Sequence, residues 1–227
     1  MLNYAAALAG SRPSFRTGAQ PGRDVPGGDI HEAGERMIVA SGEELFSEGD
    51  TAEVFYKVIS GTVRTSKLLS DARRQIDSFH YAGDFFGFEG ADEHSFSAEA
   101  VEETTVIAFR RSSFRSLVRD YPEFADQLMS AMVSSLQRAR DHMLLLGRKT
   151  PQEKIAKFLL DTAARLRKDD RIELPMRRAD IADYLGLTKE TVSRTLTQMS
   201  RDGLIRLEAI GRTVLLNDRT SLQQMNA

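Results

Sequence analysis

Between Tyr121 and Thr150 the apolar and polar residues alternate at the repeat of a helix: Phe124, Leu128, Ala131, Ser135, Arg138, His142 and Leu145 step by three or four along one seam. Met132, Leu136, Ala139, Met143 and Leu146 widen that seam into an apolar stripe. A helix of about 25 residues is far longer than the usual three or four turns, and it separates whatever precedes it from whatever follows. The 227 residues therefore read as two modest domains, each with its own core, joined by a long helix. The stripe has two possible covers, the helix's own domain or a partner helix. It exceeds what one small domain hides, so a partner is favoured, with Phe124, Leu128, Ala131, Ser135, Ala139, His142 and Leu145 as the expected homodimer contacts.

Residues 1–28 contain a stretch rich in Gly, Pro and Arg without hydrophobic periodicity, which predicts a flexible tail. From 29 to 120, short apolar runs such as Val54–Ile59, Val63–Leu69 and Val101–Phe109 are separated by glycines and charged turns. Glycine supplies positive φ and aspartate bonds its own turn backbone at Gly49-Asp50, Gly61 and Gly83-Asp84, so many short antiparallel strands in a compact β-roll or jelly-roll are expected. The helix and its hinge occupy 121–149.

A second domain is expected over 150–227. Thr150-Pro151-Gln152-Glu153 combines an N-cap threonine, proline at the first helical position and glutamate at the third, so a helix starts there, with Ile155, Phe158, Leu159 and Thr162 on one face. Asp180–Leu185 makes a short helix, Gly186 suits a left-handed C-terminal position, and Thr188 caps the next helix. That is helix-turn-helix spacing. Val192, Leu196 and Met199 share one face of the second helix, while Glu190, Ser193, Arg194 and Thr197 share the other. Glu190 and Arg194 have two readings. They form a surface i,i+4 ion pair, or they read a G·C pair together, arginine giving two hydrogen bonds to guanine and glutamate accepting from the cytosine amine. Beyond that helix, Leu204–Leu207 and Thr213–Leu216 alternate around a turn and read as a wing, with Arg212 at its tip either touching phosphate or simply solvated.

Charge fits this division. Residues 1–149 hold 17 Lys/Arg against 22 Asp/Glu, whereas 150–227 hold 14 against 11, so the C-terminal third is the electrostatically plausible partner of double-stranded DNA. Cysteine is absent, which excludes disulfides, thiolate-held zinc and cysteine-ligated clusters. The four histidines have no ligand spacing, and neither G-x-x-x-x-G-K nor G-x-S-x-G occurs, so no metal, no cofactor and no enzyme activity are expected. With no signal-peptide pattern and no span of about 18 apolar residues, the expected location is the cytoplasm, away from membranes.

Three segments carry a family resemblance: Glu48-Gly49-Asp50, the run Tyr56–Val63, and Ala82-Gly83-Asp84-Phe85-Phe86-Gly87. They resemble the sensor domain of the CRP/FNR regulators, in which the long helix at this position is the dimer helix. The stretch Ile181–Arg194 is similar to the FNR and FixK branch, whose matching Glu, Ser and Arg positions read a TTGAT half-site. Lys67–Gln75, Phe85–Glu89, His94–Ala100 and Leu146–Thr150 are most similar to the FixK-like subgroup. The resemblance implies an α+β chain: a cyclic-nucleotide-binding-like β-roll, a long dimerisation helix and a C-terminal winged helix-turn-helix. Its DNA contacts are then Thr188, Lys189, Glu190, Ser193, Arg194, Thr197 and Arg212. Lys189 departs from the branch, which carries an aliphatic or small residue there, so the outer half-site bases are left open.

Nucleotide-binding relatives hold the phosphate with an arginine after a Gly-Glu turn. Here neither Lys nor Arg occurs between Arg74 and Arg110, while Asp84, Glu89, Asp92, Glu93 and Glu99 crowd the matching loop, so an anionic cyclic nucleotide is not expected. The subgroup implies an activator of micro-oxic respiration or nitrogen-fixation genes that recruits RNA polymerase to a palindromic TTGAT-N4-ATCAA site. The alternative is a regulator of the same fold gated by haem, nitric oxide or a metabolite.

Overall fold

The structure, a computed structural model, describes residues 33–148, 150–208 and 212–225, so the expected tail at 1–28 lies outside it. The chain divides into two compact units, Met1–Leu68 with Asp77–Ser134, and Leu69–Ile76 with Ser135–Ala227. The division falls inside the long helix rather than at either end of it.

Among the described residues the strands before the long helix are β1 Glu35–Val39, β2 Glu44–Phe46, β3 Val54–Ser60, β4 Val63–Leu68, β5 Arg74–His80, β6 Phe85–Phe86, β7 Ser97–Ala100 and β8 Thr104–Arg110, all in the first unit except the start of β5, which groups with the second. They form two four-stranded sheets in the orders β1-β8-β3-β6 and β2-β7-β4-β5. In β3 and β8 the inward residues alternate as period-two patterning requires, and Val58, Val106 and Ala108 join Phe46, Tyr56, Val63 and Phe86 in the core of the roll. Gly61 turns β3 into β4 at φ +84°, and a Cβ there would lie 2.5 Å from Thr104 Oγ1, so both conformation and space demand glycine. Helices α1 Phe114–Asp120 and α2 Pro122–Arg148 follow. A second cluster, Phe55, Ile107, Phe109 and Leu117, receives Phe124 and Leu128 from the first turns of α2. Burial of each such side chain contributes roughly 1.5–3 kcal/mol.

The second unit contains α3 Pro151–Arg165, β9 Arg171–Glu173, α4 Arg178–Leu185, α5 Lys189–Arg201, β10 Ile205–Leu207, β11 Thr213–Leu216 and α6 Arg219–Gln224, with strand order β10-β11-β9. Thr150 and Glu153 close the expected capping box on α3. Ile155, Phe158, Leu159 and Thr162 are all buried. The wing hairpin gains a third strand, β9, from before α4, and its tip at 209–211 lies outside the described residues.

Part of the expected dimer seam is occupied within the chain itself. Phe124, Leu128 and Leu145 are 1%, 3% and 5% exposed, the first two packed in the cluster with Phe55 and Phe109, and the His142 ring stacks on Tyr184 at 4.0 Å with Nε2–H donating to the Tyr184 carbonyl at 2.8 Å. Ala131 is half-buried, and only Ser135 and Ala139 are open. The exposed apolar stripe is Met129, Met132, Val133, Leu136, Met143 and Leu144, each at least 49% exposed. At 100° per residue it is centred about a third of a turn round the helix from the expected seam.

Candidate nucleic-acid interface

Two helices and a turn set the reading face. Helix α4 ends at Gly186, whose φ of +63° is the left-handed C-cap, and Lys154 of α3, itself buried, donates from Nζ to the Leu185 carbonyl at 3.2 Å. A cation at a helix C-terminus meets carbonyls with no intrahelical partner and the negative end of the dipole. Thr188 then caps α5, accepting from the Thr191 amide at 3.1 Å. Val192, Leu196 and Met199 are 0%, 3% and 0% exposed, which fixes the rotation of α5 about its axis.

That rotation leaves Thr188, Lys189, Glu190, Arg194 and Thr197 exposed and Ser193 half-buried. Among the described residues no ion pair joins Glu190 to Arg194, so the surface-pair reading does not hold and both groups are open to solvent. The Thr197 hydroxyl donates to the Ser193 carbonyl at 2.9 Å, so it meets a ligand as an acceptor or through its methyl group. Ser193, Arg194 and Thr197 line one open groove with Gln198 and Arg201. Sequence reasoning stopped short of these last two, although steps of four and seven from Arg194 place them on the same face. Arg212 is exposed beside the wing, and its carbonyl accepts from the Leu174 amide at 2.9 Å.

One support of this face was not visible in the sequence. Arg74, in the 69–76 segment that groups with the second unit, bonds Asp180 at 2.6 Å and Asp183 at 2.8 Å. Asp180 is 3% exposed and also accepts from the Arg177 amide at 3.0 Å, so its carboxylate is matched on both sides and α4 is held at its first turn. Truncating one partner of such a buried pair costs far more than the pair contributes.

In the first unit, the acidic loop is organised by Arg111, just past the cation-free stretch, which donates to the carbonyls of Ala91 at 2.7 Å and Glu89 at 2.9 Å. Within that loop His94 is buried, its ring stacked on Phe46 at 3.6 Å, and Nδ1 stands 3.6 Å from Glu89 Oε1, too far for a hydrogen bond. Burial holds the His94 pKa below 6.5 despite the opposing pull of Glu89 and Asp50, with Arg111 adding to the depression. A histidine kept neutral by the fold takes up its proton first in the unfolded chain, so stability falls as the pH drops below about 6.5. The melting temperature is expected to decline between about pH 7.5 and 5.5, and His94→Leu to flatten that slope. An unchanged slope in the variant contradicts the assignment.

Residues 153–225 match the family model for the Crp-like helix-turn-helix domain, and residues 36–121 that for the cyclic nucleotide-binding domain. The nitrogen fixation regulation protein FixK of Azorhizobium caulinodans is 44% identical over 199 residues, covering 86% of this chain and 80% of the relative. The protein of the same name from Bradyrhizobium diazoefficiens is 43% identical over 183 residues, 79% of this chain and 77% of that one. The solved structure of FixK2 from Bradyrhizobium japonicum superposes with a TM-score of 0.78 at 42% identity, over 86% of this chain and 98% of that chain.

Proposed function

The chain belongs to the CRP/FNR family of DNA-binding transcriptional regulators, close to FixK, and within that family we propose that it binds a TTGAT-N4-ATCAA-like palindrome as a homodimer without a cyclic nucleotide. It is a transcriptional activator by relationship and not an enzyme. The observation that carries the proposal is the exposed, unpaired set Glu190 and Arg194, with Ser193 between them, on a helix whose opposite face is locked into the core.

In each half-site Arg194 gives two hydrogen bonds to the guanine, and Glu190 accepts from the N4 amine of its paired cytosine. Ser193 completes the inner bases. Lys189 addresses the outer end of the half-site, while Thr188, Thr197 and Arg212 meet the backbone and fix register without reading sequence. Two such helices about 34 Å apart enter successive major grooves on one face of DNA, which matches a palindrome to a two-fold axis. The second copy lies along the exposed stripe of α2, where Met129, Met132, Leu136, Ala139 and Met143 fall at a and d spacing of a coiled-coil seam. The names of the relatives support a role in nitrogen-fixation regulation, and the proposal extends it to activation of those genes and of micro-oxic respiration genes by recruiting RNA polymerase. Among the described residues no helix is long and apolar enough to cross a membrane.

Absence of a cyclic nucleotide requirement is supported by the loop itself: His94, stacked and neutral, faces a carboxylate, so it offers no fixed positive charge to a phosphodiester. Thermal unfolding of the purified protein with and without cyclic AMP tests this. The midpoint is expected to stay where it is; a concentration-dependent rise, as mass action requires of any ligand of the folded state, points instead to a gated regulator.

A further inference from the structure

The chain has eight methionines and no cysteine, so any direct redox chemistry on its sulfur falls to thioethers. Their exposure is sharply divided. Met129, Met132 and Met143 are 64%, 49% and 66% exposed, whereas Met176 and Met199 are 2% and 0% exposed and Met37 and Met225 are half-buried. Among the described residues the three open ones all lie on the apolar stripe of α2, where they make up half of its six large exposed apolar side chains.

We propose that Met129, Met132 and Met143 are an oxidative modification site, at which a peroxide converts them selectively to sulfoxides and thereby unseats the second copy of the chain. The proposal rests on the reading of the α2 stripe as the homodimer contact. In the step, the thioether sulfur attacks one peroxide oxygen; the S–O bond forms as the O–O bond breaks, the sulfur is oxidised by two electrons, and hydrogen peroxide leaves as water. The product carries a strong S–O dipole where an apolar side chain stood. In a helix-to-helix seam that oxygen has no donor to meet, and an unpaired buried polar group is costly. Val133, Leu136 and Leu144 are inert to peroxide, so the response is confined to the sulfur positions. A second copy lying on the stripe also shields it, so oxidation proceeds on separated chains and dimerisation protects against it.

The test treats the full chain with hydrogen peroxide, maps sulfoxides by peptide mass spectrometry and follows association by sedimentation. Met129, Met132 and Met143 are expected to oxidise ahead of Met176 and Met199, more slowly as protein concentration rises. The dimer dissociation constant is expected to rise roughly a hundredfold or more. A triple Met129→Leu, Met132→Leu, Met143→Leu variant, which keeps shape and apolarity, is expected to remain dimeric after the same treatment. Even oxidation across all methionines, a dimer that survives sulfoxidation at the three positions, or equal loss of association by the triple variant overturns the proposal. An untreated chain that sediments as a monomer contradicts the dimer reading itself and with it the functional half of the proposal.

Discussion

Arg194→Ala is expected to lower affinity for a TTGAT-N4-ATCAA duplex by about 2–6 kcal/mol, because each half-site loses a bidentate guanine contact that discriminates by roughly 1–3 kcal/mol and the dimer makes two of them. That is a fall of roughly 30-fold to more than 10,000-fold. Arg194 is exposed and makes no ion pair among the described residues, so its removal leaves the buried face of Val192, Leu196 and Met199 untouched and the melting temperature close to that of the parent. Affinity for a scrambled duplex, carried by phosphate contacts, is expected to drop far less. Arg194→Lys is not expected to restore selectivity, since an ammonium cannot supply the planar two-donor fork. Fluorescence anisotropy on both duplexes at matched salt reads all three outcomes, and equal losses on the two duplexes contradict base reading by this residue.

The second large effect is expected at Leu136, which is 53% exposed near the middle of the α2 stripe. Leu136→Lys places like charges against each other across the proposed two-fold axis and desolvates both, so association is expected to give way to monomers that still fold, because the Leu136 side chain is largely exposed in the single chain. A monomer holds one half-site, and the loss of intramolecular engagement of the second costs roughly 100- to 10,000-fold in operator affinity. Sedimentation velocity measures the first step and anisotropy the second. Leu128→Lys serves as contrast: at 3% exposure in the cluster with Phe55 and Phe124, it is expected to unfold the first unit rather than merely separate two copies. A Leu136→Lys protein that remains dimeric places the partner elsewhere.

The recognition helix was legible because everything that shapes it is local. Thr188 caps within three residues, Gly186 turns the chain, and 100° steps sort Val192, Leu196 and Met199 from Glu190 and Arg194. The strand-rich first unit was legible for the same reason, from short alternating runs between turn residues. Which side of the long helix the chain itself covers was not. A helix with one apolar side against its own chain and another left exposed carries two stripes of the same period, and periodicity cannot say which is which. Of the polar members of the chosen seam, His142 meets its own unit through Tyr184, whereas Ser135 stays open, so polarity alone did not sort them either. Arg74 with Asp180, 106 residues apart, and Lys154 with Leu185, 31 apart, depend on tertiary placement and leave no local pattern. Arg111 escaped for a simpler reason: a count of cations inside a loop misses one that reaches back from its edge.

The central claim is most directly tested by the affinity of the purified, nucleotide-free protein for a TTGAT-N4-ATCAA duplex, set against a scrambled duplex of equal length and salt. The expected result is selective binding, with an advantage of at least about 1,000-fold for the palindrome, as specific regulators show over non-specific DNA. Equal affinity for the two duplexes, or selectivity that appears only when cyclic AMP is added, contradicts it.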